Sequence, residues 1–159
     1  ETRLVRLADP THVTGDAAVF IRAYENLGGK VHVARTETEA ARAVSSLSDC
    51  TVVVDALLGT GVKGEVKGPI RAAIDAWPPI YTVAVDLPSG MDADTGEALG
   101  CCVKADVTVT FQVAKRGFLN PAAHAYLGRL VVADIGIPEC CTDDDLWRVH
   151  QAGRARQSH

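Results

Sequence analysis

The sequence has no excess of positive charge. Sixteen basic residues stand against 20 acidic ones, a net charge of −4, so there is no electrostatic footprint for nucleic acid or an anionic membrane surface. No apolar run approaches the ~20 residues that a transmembrane helix needs. No charged-then-apolar leader opens the chain, and the expectation is a cytoplasmic protein. There is no internal repeat and no low-complexity segment. Metal-ligand spacing is missing as well. Cys50, Cys101, Cys102, Cys140 and Cys141 are an odd number, four of them in two adjacent pairs, and none forms a Cys-x-x-Cys unit. Reduced thiols follow, and a four-cysteine metal site is disfavoured. His12, His32, His124, His150 and His159 show no ligand spacing either.

What is present is an ordinary globular composition, 47% apolar and 23% charged over 159 residues, enough for one domain with a sizeable core. Short apolar runs alternate with helix-period segments. Arg3 to Leu7 reads as a strand ended by Asp9-Pro10. Thr14 to Leu27 has apolar residues at 17, 20, 21, 24 and 27, with Thr14 as N-cap and Gly28-Gly29 as the stop. A strand over Val31 to Ala34, an Ala-rich helix over Thr36 to Leu47 and a strand over Thr51 to Val54 follow. Pro69 suits the first turn of a helix running to Ala76. Strands are expected at Tyr81–Val85, Ala105–Phe111 and Leu130–Ala133. Gly117 to Tyr126 reads as a loop with one helical turn, and Thr142 to Trp147 as a further turn. The pattern predicts an α/β protein, a three-layer α/β/α Rossmann-like domain with a mainly parallel sheet. Residues 1–138 would form that domain and 139–159 a polar tail.

Two stretches carry chemistry. In Thr51 to Glu65, TVVVDALLGTGVKGE, the run Val52-Val53-Val54 reads as a strand buried on both faces, which puts Asp55 at its carboxyl end. Ligands of open α/β sheets bind at that edge. Gly59 and Gly61 free the backbone to aim N–H groups at an anion, with Lys63 beside them. By itself the stretch favours a plain strand–turn–helix connection. The second stretch, Ile80 to Asp94, repeats the pattern: an apolar strand, Asp86, then Pro88-Ser89-Gly90. Together they predict two carboxylates and a hydroxyl at one edge of one sheet, where a buried acid requires backbone N–H groups, a cation or a substrate as partner.

Asp55-Ala56-Leu57-Leu58-Gly59-Thr60-Gly61, Val85-Asp86-Leu87-Pro88-Ser89-Gly90, and Lys104-Ala105-Asp106 with Thr108-Val109-Thr110-Phe111 and Lys115 resemble successive motifs of the YjeF N-terminal domain, the NAD(P)H-hydrate epimerase family. Gly128 to Pro138 is similar to that domain's last strand, so the resemblance runs from Val5 to Pro138. It implies epimerisation of the R and S forms of hydrated NADH or NADPH, a small-molecule substrate. It also implies Asp86 as the acid/base, Asp55 and Ser89 as ligands of a potassium ion, and Gly59, Thr60, Gly61, Val62, Lys63, Gly64 and Glu65 as the loop around the dinucleotide. Lys104 is expected in solvent; Lys115 is the less distinctive match.

One family motif has no counterpart: the Asn-Asn-Gly-Gly-Asp loop that completes the potassium site. Thr14-Gly15-Asp16 and Gly28-Gly29 stand in the wrong context to replace it. The expectation is a domain lacking its first strand and that loop, partnered by a complementing N-terminal segment or by copies of itself as a homo-oligomer. The alternative is a non-catalytic binding or scaffold protein with the same fold and an incomplete site. A generic nucleotide-binding Rossmann-like protein is the third, disfavoured reading: Gly59 to Gly64 has the Gly-x-Gly-x-x-Gly spacing, but a glycine turn by itself is weak evidence.

Overall fold

The computed structural model describes residues 2–7, 13 and 15–138. The N-cap expected at Thr14, the break at Asp9-Pro10, the turn at Thr142 to Trp147, the tail 139–159 and Cys140-Cys141 lie outside the described residues. The chain divides into two compact units, one of residues 1–49 with 67–79, the other of 50–66 with 80–159.

In the first unit, β1 (Leu4–Arg6) and β2 (Val31–Val33) pair in parallel, Val5 opposite His32. Between them runs α1 (Gly15–Asn26), which Gly28 ends with φ +85°, the left-handed backbone that glycine adopts freely. The helix period is as read, yet no residue of α1 is buried and Phe20 is 73% exposed. Helix α2 (Glu37–Ser45) opens with a capping box: Thr36 accepts from the Glu39 N–H while the Glu39 carboxylate accepts from the Thr36 N–H. It buries Ala40, Ala43 and Val44 and packs on α3 (Gly68–Asp75), whose first turn holds Pro69. A groove of about 760 Å³ lies among Leu4, Val5, Tyr24, Leu27, Ala43 and Leu47, and none of the expected site residues lines it.

The second unit is built on a four-stranded, all-parallel sheet in the order β3 (Val53–Asp55), β4 (Thr82–Val85), β5 (Val107–Phe111), β6 (Arg129–Ala133). Across it Asp55, Ala84, Thr108 and Leu130 stand side by side. One face buries Val53, Asp55, Thr82, Ala84, Thr108 and Thr110. A core of Leu87, Met91, Ala114, Phe118, Ala123 and Leu127 fills the loops beyond the strand ends.

Mixed helices and parallel strands are those of the three-layer α/β/α Rossmann-like class. One expectation changes. Val52-Val53-Val54 is not buried on both faces: Val53 is buried, while Val52 is 46% and Val54 58% exposed. Period-2 alternation of side chains puts Val54 on the opposite face from Val53, and β3 pairs on one side alone, with β4, among the described residues. The later connections are irregular, as the loop with one helical turn over Gly117 to Tyr126 implied. Between β4 and β5 the chain makes its crossover through residues 86–106 with no helix, and between β5 and β6 through two 3₁₀ turns and the four-residue α4 (His124–Leu127). The first of these irregular crossovers carries the candidate site.

Candidate active site

The two acids read from the sequence do end neighbouring strands. Asp55 closes β3 opposite Ala84, and Asp86 follows Val85, the last residue of β4, at the same carboxyl edge.

Asp55 is fully buried. Ser89 binds it twice, its backbone N–H donating to Oδ2 at 2.7 Å and its hydroxyl to Oδ1 at 2.5 Å. The Leu57 N–H adds a longer bond of 3.4 Å to Oδ1, and the Leu58 N–H donates to Ser89 Oγ at 2.9 Å. The carboxylate therefore ties its own loop to the loop after β4. Burial pushes the Asp55 carboxyl up, the bonds from Ser89 and Leu57 pull it down, and no basic side chain takes part. The loop is fixed from behind by Val103 N–H on the Ser89 carbonyl and Leu99 N–H on the Gly90 carbonyl. Gly90 has φ +94°, and a Cβ there would lie 2.2 Å from the Cys101 carbonyl oxygen, so only glycine fits.

Asp86 is held in another way. It has φ +69°, and the Leu87 N–H donates to the Val85 carbonyl at 2.9 Å, so the acid stands at the centre of a three-residue γ-turn. A positive φ on a non-glycine residue costs about 1–3 kcal/mol and collects at functional sites. Its side chain is engaged through one oxygen: Oδ1 accepts from Thr110 Oγ1 at 3.0 Å and from the Phe111 N–H at 3.1 Å, and forms an ion pair with Lys115 Nζ at 2.6 Å. Strand β5 ends in the same device, Gln112 having φ +61° with the Val113 N–H on the Phe111 carbonyl. There the side chain faces inward. Gln112 Oε1 accepts from the Ile135 and Ile137 N–H groups, and its Nε2 donates to the Ile137 carbonyl.

The loop over residues 59–65 is surface-exposed except at Val62, which is half-buried. Gly59 and Gly61 have open space around them and no positive φ, so the glycine that the backbone requires is Gly64, at φ +78°. Lys63 meets Asp94 at 3.2 Å with both side chains about 70% exposed, and the Val66 N–H closes the loop on the Leu99 carbonyl. Asp92 accepts from the Asp94 and Thr95 N–H groups, which shapes the facing turn and holds its carboxyl below the usual range.

The structure thus joins Asp55 to Ser89, Asp86 to Lys115, and Lys63 to Asp94, as three separate sets. Lys104 is exposed, as read. Sequence reasoning undervalued Lys115 and missed Thr110 and Asp94. The signals for Lys115 were its place in the family motif after Thr108-Val109-Thr110-Phe111 and its position four residues beyond an apolar strand. Cys50, Cys101 and Cys102 are unbridged, and burial pushes the Cys102 thiol up to about 12, which makes it an inert packing group. Among the described residues, no helix is long and apolar enough to cross a membrane, and no group of three or more His, Cys, Asp or Glu could hold a metal ion.

Residues 1–117 match the family model described as YjeF-related protein N-terminus. A protein of Moorella thermoacetica named bifunctional NAD(P)H-hydrate repair enzyme Nnr is 42% identical over 141 residues, which cover 87% of this chain and 27% of that protein. A Pirellula staleyi protein named NAD(P)H-hydrate epimerase is 39% identical over 138 residues, 85% of this chain and 60% of that protein. A Pyrobaculum aerophilum protein, again named as the bifunctional repair enzyme, is 53% identical over 89 residues, covering 55% and 18% of the two chains. The chain therefore spans only part of the length of the relatives it matches. With its residues 1–117 inside the family model, it belongs to the YjeF-related protein N-terminus family.

Proposed function

We propose that the protein interconverts the R and S forms of hydrated NADH or NADPH, a repair of damaged nicotinamide nucleotide. The observation that carries this is Asp86. It is a strained acid at the carboxyl edge of a parallel sheet, with every side-chain bond on Oδ1 and Oδ2 left for a ligand. The names of the relatives supply the substrate class.

The chemistry needs one acid/base group and no redox partner. Protonated, Asp86 Oδ2 gives its proton to the hydroxyl on carbon 6 of the reduced pyridine ring. The carbon–oxygen bond breaks as the ring nitrogen lone pair moves in, leaving water and a planar iminium ion beside the new carboxylate. Water adds to either face of the ring, and its proton returns to Oδ2. The loop Gly59, Thr60, Gly61, Val62, Lys63, Gly64 and Glu65 would take the dinucleotide, Lys63 serving the pyrophosphate as a mobile point charge.

Asp55 and Ser89 would hold a potassium ion. A fully buried carboxylate that no basic side chain helps to ionise, bonded to a hydroxyl, offers hard oxygen donors of the kind a large, hard cation takes. Bound there, the ion would supply the positive charge that the fold itself does not put next to Asp55.

Among the described residues β3 pairs with β4 alone, and this together with the exposed Val52 and Val54 supports a further part of the proposal. An unpaired, apolar strand edge favours association, either with a segment carrying an Asn-Asn-Gly-Gly-Asp loop or with another copy. Unbridged cysteines fit a cytoplasmic setting. The test is a stereochemical assay on hydrated NADH, with and without a fragment carrying that loop, alongside light scattering. Accelerated R/S exchange that depends on Asp86 is expected. Absence of exchange under both conditions overturns the activity, and a stable monomer active unaided overturns the association.

A further inference from the structure

We infer that Lys115 is a positioning residue that fixes Asp86 by one oxygen and so presents the other for proton transfer; the inference rests on the function proposed above. Lys115 Nζ lies 2.6 Å from Asp86 Oδ1, with both side chains under a fifth exposed. Its other two contacts are the carbonyls of Phe111 at 3.2 Å and Val113 at 3.4 Å. The carboxylate and the two carbonyls surround the ammonium, which donates to both carbonyls and is paired in charge with the acid. Lys115 is thus neither a free charge for a substrate phosphate nor an amine open to carbonyl chemistry.

What anchors the lysine is also rigid. The Phe111 and Val113 carbonyls flank Gln112, and that γ-turn is locked by the Gln112 N–H on the Ala133 carbonyl at 2.7 Å and by the buried side chain on residues 135–137. The second γ-turn therefore serves the first, because it carries the ammonium that meets the acid at the end of β4. The pattern on the acid supports a positioning role over a plain ion pair. Beyond the ion pair, the hydroxyl of Thr110 and the Phe111 N–H also converge on Oδ1, the oxygen that the Lys115 ammonium meets. Rotation of the carboxylate would break all three together, so Oδ2 has one orientation.

The experiment uses the full chain, with the complementing fragment if activity requires it. Lys115→Ala should lower kcat by about 10²-fold, the scale of a misplacement near 1 Å, with KM little changed. Methylammonium or ethylammonium in the medium should restore part of the rate. Asp86→Asn should lose activity and not respond to amines. In a crystal structure of Lys115→Ala, the Asp86 carboxylate should turn away from Thr110 and Phe111; Lys115→Met, which keeps the stem, serves if the alanine variant does not fold. Parental kcat in the lysine variants overturns the inference, as does an Asp86 side chain that stays in place. A parent chain with no epimerase activity sinks the proposed function, and the carboxylate orientation then decides the role of Lys115 by itself.

Discussion

Asp55 and Asp86 end adjacent strands of one sheet, and the surroundings make them different groups. Asp55 is fully buried, bonded through both oxygens by Ser89, and has no basic neighbour. Asp86 is half-buried, strained and bonded through one oxygen, with Lys115 against it. Burial raises the free energy of a charge, and only a cation or fixed donors offset it. Asp55 has donors without a cation and suits holding a loop and an ion. Asp86 has an ammonium and an idle oxygen and suits moving a proton. Two positions that look alike in sequence are separated by what the neighbouring strand and loop bring to them.

The largest break in this comparison should come from Asp86→Asn, which keeps the shape and removes the acid. Epimerisation is expected to fall about 10²–10⁴-fold, with thermal unfolding close to that of the parent. A parental rate would remove Asp86 from the chemistry. On the Asp55 side, Gly90→Ala should act through stability. The φ of +94° and the 2.2 Å approach to the Cys101 carbonyl combine strain with overpacking, a loss on the order of 3 kcal/mol. Chemical denaturation measures it, and an unchanged midpoint would mean that the loop yields easily.

Ser89→Ala should cost about 1–3 kcal/mol, because it leaves the Leu58 N–H without its acceptor and Asp55 without its closest donor. The pH dependence sharpens the contrast further. The folded Asp55 carboxyl lies above its ordinary value, so between the two values the folded state binds more protons. The associated stability is full below the unfolded value of about 3.9 and is lost as pH rises through the raised one. Denaturation midpoints across that window should fall in the parent and stay flatter in Asp55→Asn. Potassium should oppose the fall where tetramethylammonium does not, and equal curves in the two salts would count against the ion. The smallest effect belongs to Lys63 and Asp94. Their exposed pair should contribute about 0.2–1 kcal/mol, so Asp94→Ala is expected to leave stability nearly unchanged while altering KM if the loop takes the dinucleotide.

Much of this was legible in the chain. Helix starts and stops followed from the Ala-rich run after Thr36, from Pro69 and from Gly28, whose signals are local; the capping box of Thr36 with Glu39 came from the structure. The strands followed from short valine-rich runs. The burial of Val52-Val53-Val54 did not, because a continuous apolar run reads the same whether one face or both are covered. Lys115 and Thr110 were hard to weigh for a related reason: each reaches Asp86 across more than twenty residues of intervening chain, through a turn whose positive φ no sequence pattern announced.

The sequence by itself determined that the chain is α/β, that two acids end successive strands at one sheet edge, and which family it resembles. These are set by periodicity, by the direction of a parallel strand and by the order of short motifs, all readable along the backbone. Only the tertiary structure decided which acid is sealed against Ser89 and which is left with a free oxygen under Lys115. That difference depends on desolvation and on donors arriving from other strands, and such contacts exist only once β3, β4 and β5 lie side by side.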